Sequence, residues 1–132
     1  MKLLLDTHVL LWSVSDPQRI PSTTRAQIED AANVRLISAA SAWEIATKHA
    51  LGKLPLRESP STFLLHASTD LVAEELPITA RHAVLAASLP HHHRDPFDRL
   101  LVAQALIEGA MLVTADHLLP PYGAPLLWAG AR

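Results

Sequence analysis

Four acidic residues, Asp6, Glu44, Asp98 and Asp116, stand where an α/β chain gathers carboxylates. Asp6 follows the apolar run Leu3-Leu4-Leu5, and Asp116 comes after Met111-Leu112-Val113-Thr114. Each reads as a carboxylate at the C-terminal end of a short buried strand, where open α/β sheets place their ligands. Glu44 and Asp98 each fall in the first turn of a predicted helix. Gathered carboxylates repel one another and are costly to bury, and a divalent cation resolves both problems. The pattern points to a metal-dependent enzyme acting on phosphate esters. Thr114 adds a hydroxyl able to orient Asp116 or a metal-bound water.

The elements that must position these residues are legible from pattern and punctuation. Leu3–Leu5 reads as a strand, and Asp6 caps a helix through Trp12. Asp16-Pro17 marks a turn. A second helix spans about Thr23–Ala32, with Ser22 or Thr23 near its cap. Val34–Ile37 is a second strand. Ser38 or Ser41 caps a helix to about Ala50, which Gly52 stops. Pro55–Pro60 is a loop, Ser61–Thr69 a helix, and Leu71–Leu76 a weaker strand. Thr79 caps a helix through about Ser88. Pro96 opens a helix that Gly109 ends. Leu112–Thr114 and Leu126–Trp128 are the last strands. Strands alternating with helices imply a parallel sheet covered on both faces, with all C-terminal strand ends on one edge. With the first strand central, Asp6 and Asp116 become neighbours at the topological switch point.

Each acid also has a structural reading. Asp6 suits an N-cap, and a cap carboxylate keeps a second oxygen for a metal. Ser41-Ala42-Trp43-Glu44 fits a capping box, and Glu44 with Lys48 forms an i,i+4 pair. Asp95 is an ideal cap before Pro96, and Asp98 at the third helical position favours the helix dipole. Asp98 shares a face with the apolar residues Leu101, Val102 and Ala105, so it needs a partner. Asp116 suits a turn. His91-His92-His93 tempts a zinc assignment, but consecutive loop residues do not converge on one tetrahedral site. They read as rim residues beside Arg94. Trp12, Trp43 and Trp128 read as core or partner surface rather than a base-stacking platform.

The 132 residues read as one domain over 1–132, 49% hydrophobic and 18% charged, which excludes disorder. The absence of cysteine excludes disulfides and thiolate chemistry and fits a reducing compartment. Met1-Lys2-Leu3-Leu4-Leu5 begins like a signal peptide, but Asp6 and His8 break the apolar run too early. No stretch is long enough to span a bilayer, so a soluble, cytoplasmic protein is expected. The formal charge is −2, from thirteen acids and eleven bases. Setting aside Asp6, Glu44, Asp95, Asp98 and Asp116 leaves eight acids against eleven bases, formally +3, which is compatible with a polyanionic substrate.

The segments Leu3-Leu4-Leu5-Asp6-Thr7-His8, Ser41-Ala42-Trp43-Glu44-Ile45, Arg94 through Ala105 and Leu112-Val113-Thr114-Ala115-Asp116 resemble PIN-domain nucleases, above all the VapC-type toxins of toxin–antitoxin pairs. The resemblance runs from Lys2 to about Trp128. It implies a three-layer α/β/α fold with a central parallel sheet of four to five short strands. It also implies Mg²⁺- or Mn²⁺-dependent endoribonuclease activity on RNA, a cognate antitoxin and a homodimer. The family's acidic quartet, as metal ligands, falls on Asp6, Glu44, Asp98 and Asp116, with Thr114 near the metal and Asp95 as an extra acid. On this reading Glu44 binds a second metal or orients the attacking water, while Arg94, Arg99 and Lys48 are candidates to neutralise flanking phosphates, with partners of the acids or ordinary surface charges as the alternatives. The rival expectation is a catalytically silent PIN-like module that binds RNA or protein.

Overall fold

Leu3, Leu4 and Leu5 are completely buried, as in a strand covered on both faces. In the computed structural model, which describes residues 1–91 and 95–130, this is β1 (Lys2–Leu5), the centre of a five-stranded sheet. The other strands are β2 (Val34–Ser38), β3 (Ala73–Leu76), β4 (Met111–Thr114) and β5 (Leu126–Trp128). Their order is β3-β2-β1-β4-β5 and every pairing is parallel. Leu5 lies opposite Ile37 on one side and Val113 on the other. The chain winds from β1 to β3 in one direction and from β4 to β5 in the other. The switch point is therefore between β1 and β4.

Among the described residues, six α-helices cover the sheet: α1 (Thr7–Ser15), α2 (Ser22–Glu29), α3 (Ala39–Ala50), α4 (Pro60–Leu71), α5 (Ala80–Ser88) and α6 (Pro96–Glu108). Strand periodicity sends Leu3 and Leu5 to one face, where they pack with Val9, Leu10, Ile28, Ile45 and Phe63. Leu4 points to the opposite face and packs with Leu101, Val102, Ala105 and Leu112. This is the expected three-layer α/β/α arrangement. Among the described residues, no helix is long and apolar enough to cross a membrane.

Several element boundaries differ from the sequence expectation, each for a local reason. Helix α1 runs on to Ser15. Helix α2 begins at Ser22 after Pro21, with no side-chain cap, and ends at Glu29 rather than Ala32. There Asp30 turns the chain by accepting the Ala32 N–H at 2.9 Å. Helix α3 starts at Ala39 because Ser38, the last residue of β2, accepts the Ala40 N–H at 2.9 Å. Glu44 is thus the sixth residue of α3 and lies beyond its first turn, so the Ser41–Glu44 capping box does not form. Helix α4 starts at Pro60, capped by Ser59, and extends to Leu71, so β3 begins only at Ala73.

Val72 ends α4 in the left-handed conformation at φ 49°, a position that favours glycine. The conformation costs a side-chain-bearing residue roughly 1–2 kcal/mol, and a β-branched one is poorly suited to it. Val72 is 75% exposed, so little burial offsets that cost. Val72→Gly is expected to stabilise the fold by about 0.5–1 kcal/mol in urea unfolding, because glycine's own entropy cost takes back part of the gain. A loss of stability would show that the Val72 side chain carries packing of its own.

Candidate active site

The C-terminal edge of the sheet opens into a cleft of about 520 Å³, lined by Asp6, His8, Trp12, Arg19, Glu44, Lys48, Asp95, Asp98, Ala115 and Asp116. All four carboxylates singled out from the sequence line it. Asp6 and Asp116 come from β1 and β4 across the switch point. Glu44 comes from α3, which follows β2, and Asp98 from the start of α6, which precedes β4. Among the described residues no three His, Asp or Glu side chains are grouped closely enough to hold a metal ion as they stand, so the acids line an open cleft.

Asp6 is 5% exposed and caps α1, with Oδ1 accepting the Val9 N–H at 2.8 Å. Burial holds its carboxyl above the ordinary value of 3.8; the Thr114 hydroxyl, the Val9 N–H and nearby His8 oppose the shift, and Asp116 adds repulsion. Thr114 is completely buried at the end of β4. Its Oγ1 accepts the Asp116 N–H at 3.0 Å, and its hydroxyl stands near the Asp6 carboxyl, whose charged form it favours. One side chain thereby stands between two acids, bonded to the backbone of Asp116. Asp116 Oδ1 accepts the Leu118 N–H at 2.9 Å.

Glu44 is 3% exposed, and both of its oxygens are engaged. Oε1 accepts from the Thr7 hydroxyl at 2.6 Å, and Oε2 accepts from the Lys48 ammonium. Thr7 Oγ1 also lies 3.1 Å from Ser41 Oγ. The Glu44 hydrogen bond raises the Lys48 ammonium above its ordinary value against partial burial, and the charges of Glu44, Asp95 and Asp98 act in the same direction. Asp95 caps α6, its Oδ1 accepting the N–H groups of Phe97 at 2.9 Å and Asp98 at 3.4 Å.

Of the three candidate phosphate cations, Arg94 lies outside the described residues, as do His92 and His93. Arg99 is 7% exposed, and its guanidinium donates to the carbonyls of Ala86 and Leu89 at 2.8 Å and Pro90 at 3.0 Å. It anchors the end of α5 and the chain that follows, which removes it from the phosphate role. Lys48 is paired with Glu44. The cation that sequence reasoning missed is Arg19, on the short 3₁₀ turn Pro17–Arg19, stacked 4.6 Å from the centre of the Trp12 ring. His8 approaches the other part of this wall, 6.0 Å from Trp12. Trp12 thus both backs onto the core and faces the cleft. Trp43, by contrast, is 60% exposed and meets Phe97 edge-on at 5.1 Å. The Asp16-Pro17 turn that folds Arg19 back onto α1 was visible in the sequence, but its direction was not.

Among the described residues, five carboxylates against Lys48 and Arg19 leave the cleft lining formally three charges negative. An all-oxygen donor set of this charge fits a hard divalent ion, and an open cleft suits one that retains much of its water. Thiolate is absent, and among the described residues His8 is the one histidine on the lining.

Comparison with known proteins agrees with this geometry. The PIN domain family model matches residues 3–121. Ribonuclease VapC22 of Mycobacterium tuberculosis is 31% identical over 124 residues, 93% of each chain, and Ribonuclease VapC16 of the same organism is 51% identical over 41 residues, 31% of this chain and 29% of that one. Among solved structures, VapBC2 from Rickettsia felis, bound to a DNA fragment from its promoter, has a similar fold with a TM-score of 0.71 at 17% identity, covering 98% of both chains. VapBC-1 from nontypeable Haemophilus influenzae follows with a TM-score of 0.65 at 14% identity and the same coverage. With the family model over most of its length, a full-length VapC relative and an acidic cleft at the switch point of a parallel sheet, the chain belongs to the PIN-domain family.

Proposed function

We propose that the protein is a divalent-metal-dependent endoribonuclease, the toxin of a toxin–antitoxin pair, and that the cleft at the β1–β4 switch point is its active site. The observation that carries this reading is the convergence of Asp6, Glu44, Asp98 and Asp116, from four separate elements, on one cleft. Asp6, Asp98 and Asp116 are the carboxylates we assign to Mg²⁺ or Mn²⁺. When bound, the ion supplies a water of lowered pKa and charge stabilisation at the scissile phosphate. The protein's part is placement. Thr114 holds the backbone of Asp116 beside Asp6, and α6 presents Asp98 from a turn capped by Asp95. Glu44 holds the start of α1 through Thr7, immediately after Asp6.

Arg19 supplies the contact to substrate. Its guanidinium, ordered by Trp12, offers N–H groups to an RNA phosphate and a planar face to a base. Arg19→Gln is expected to weaken binding of a short single-stranded RNA, measured by fluorescence anisotropy in EDTA. It should also make the log–log salt dependence shallower by about 0.7, the value for one lost phosphate contact. An unchanged slope would remove Arg19 from the substrate path.

The two similar solved structures described above are VapBC assemblies, which supports a cognate antitoxin as the protein partner. The wider reading includes a homodimer working in the cytoplasm. The deciding experiment incubates the purified chain with RNA in Mg²⁺, in Mn²⁺ and in EDTA. Cleavage in either ion and none in EDTA is expected. Intact RNA throughout, or cutting indifferent to EDTA, would overturn the assignment.

A further inference from the structure

Lys48 follows Glu44 by one helical turn and donates directly to Oε2 of a carboxylate that is 3% exposed. The other oxygen is taken by Thr7 at 2.6 Å. Glu44 is therefore satisfied on both sides by the protein itself. The Lys48 ammonium also feels Asp95 and Asp98, so it stands within the field of the acidic cluster rather than outside it. A divalent ion on Glu44 would have to displace this ammonium or sit beside it.

We propose that Lys48 is a built-in substitute for a second metal ion: it keeps Glu44 out of coordination, so the cleft takes one divalent ion, held by Asp6, Asp98 and Asp116. This rests on the cleft being a divalent-metal site. Glu44 is then a positioning residue. Through Thr7, the first residue of α1, it fixes the backbone next to Asp6, and Lys48 keeps it in that pose. The fixed positive charge does the screening that a second ion would otherwise do, with no dependence on metal supply.

The test counts bound Mn²⁺ by electron paramagnetic resonance and calorimetry on the full chain. Wild type and Lys48→Arg should each bind one ion. Lys48→Met, which frees Glu44 of its ammonium, should bind two, and Lys48→Met with Glu44→Gln should return to one. Glu44→Gln alone should keep the affinity for the first ion within about threefold, whereas loss of a true ligand would cost tenfold or more. Circular dichroism checks that each variant is folded, and Glu44→Gln keeps the test decisive if Lys48→Met is not. Two ions on the wild type, one on folded Lys48→Met, or a tenfold loss in Glu44→Gln would each overturn the proposal. No ion on the wild type would overturn it together with the metal-dependent reading of the cleft. One ion with a Glu44→Gln loss would sink only the role given to Lys48.

Discussion

Asp98→Asn is expected to reduce RNA cleavage by about 100-fold or more, while Asp95→Asn retains most of it. The two acids are three residues apart and both line the cleft, yet their surroundings divide the work. Asp95 Oδ1 is occupied by the N–H groups of Phe97 and Asp98, and asparagine caps a helix about as well as aspartate. Asp95→Asn therefore changes the charge felt by Lys48 but leaves the start of α6 in place. Asp98→Asn removes a carboxylate assigned to the ion itself. A fixed-metal cleavage assay on purified variants decides between them. If Asp95→Asn abolishes cleavage and Asp98→Asn does not, the two roles are reversed.

The second large effect is on stability. Mn²⁺ at 100 times its Kd should stabilise the wild type by about 2.7 kcal/mol, on the order of 10 °C in melting temperature for a chain of this size. Asp6→Asn should lose most of that gain. Without metal its sign reverses. Burial, with repulsion from Asp116, holds the Asp6 carboxyl above its ordinary value of 3.8. An acid raised in this way holds its proton more tightly folded than unfolded. Its favourable contribution is complete below 3.8 and is lost as the pH rises through the folded value. At neutral pH, ionised Asp6 therefore destabilises the metal-free fold. Asp6→Asn keeps the cap on α1 and removes the charge, so its metal-free melting temperature should exceed that of wild type at pH 7. The difference should shrink as the pH falls toward 3.8. Equal stabilisation of both chains by Mn²⁺ would argue that Asp6 is no ligand.

What could be read from the sequence was the frame. Leu3-Leu4-Leu5 before Asp6 and Leu112-Val113-Thr114 before Asp116 announce buried parallel strands, and the switch point makes their ends neighbours. Asp95-Pro96 announces the start of α6 with its cap. Less legible was whatever depends on one element meeting another. Ser38 and Ser41 are equally good caps in isolation. The choice of Ser38 follows from its place as the last residue of β2, opposite Leu76. That choice moves Glu44 a full turn into α3 and turns it toward Thr7. Arg99 looked like a surface charge because its sequence neighbours do not include the carbonyls of Ala86, Leu89 and Pro90, which it meets only through the packing of α5 on α6. The stacking of Arg19 on Trp12 depends likewise on how the Asp16-Pro17 turn folds back. Long-range partners of polar groups leave no periodic signal.

The most direct measurement is anomalous X-ray diffraction from crystals of the chain soaked in Mn²⁺. An anomalous peak in the cleft, with Asp6, Asp98 and Asp116 around it directly or through ordered water, is the expected result. A cleft without a peak at saturating Mn²⁺, or a peak held by other residues, would contradict the claim that this acidic edge is a metal centre.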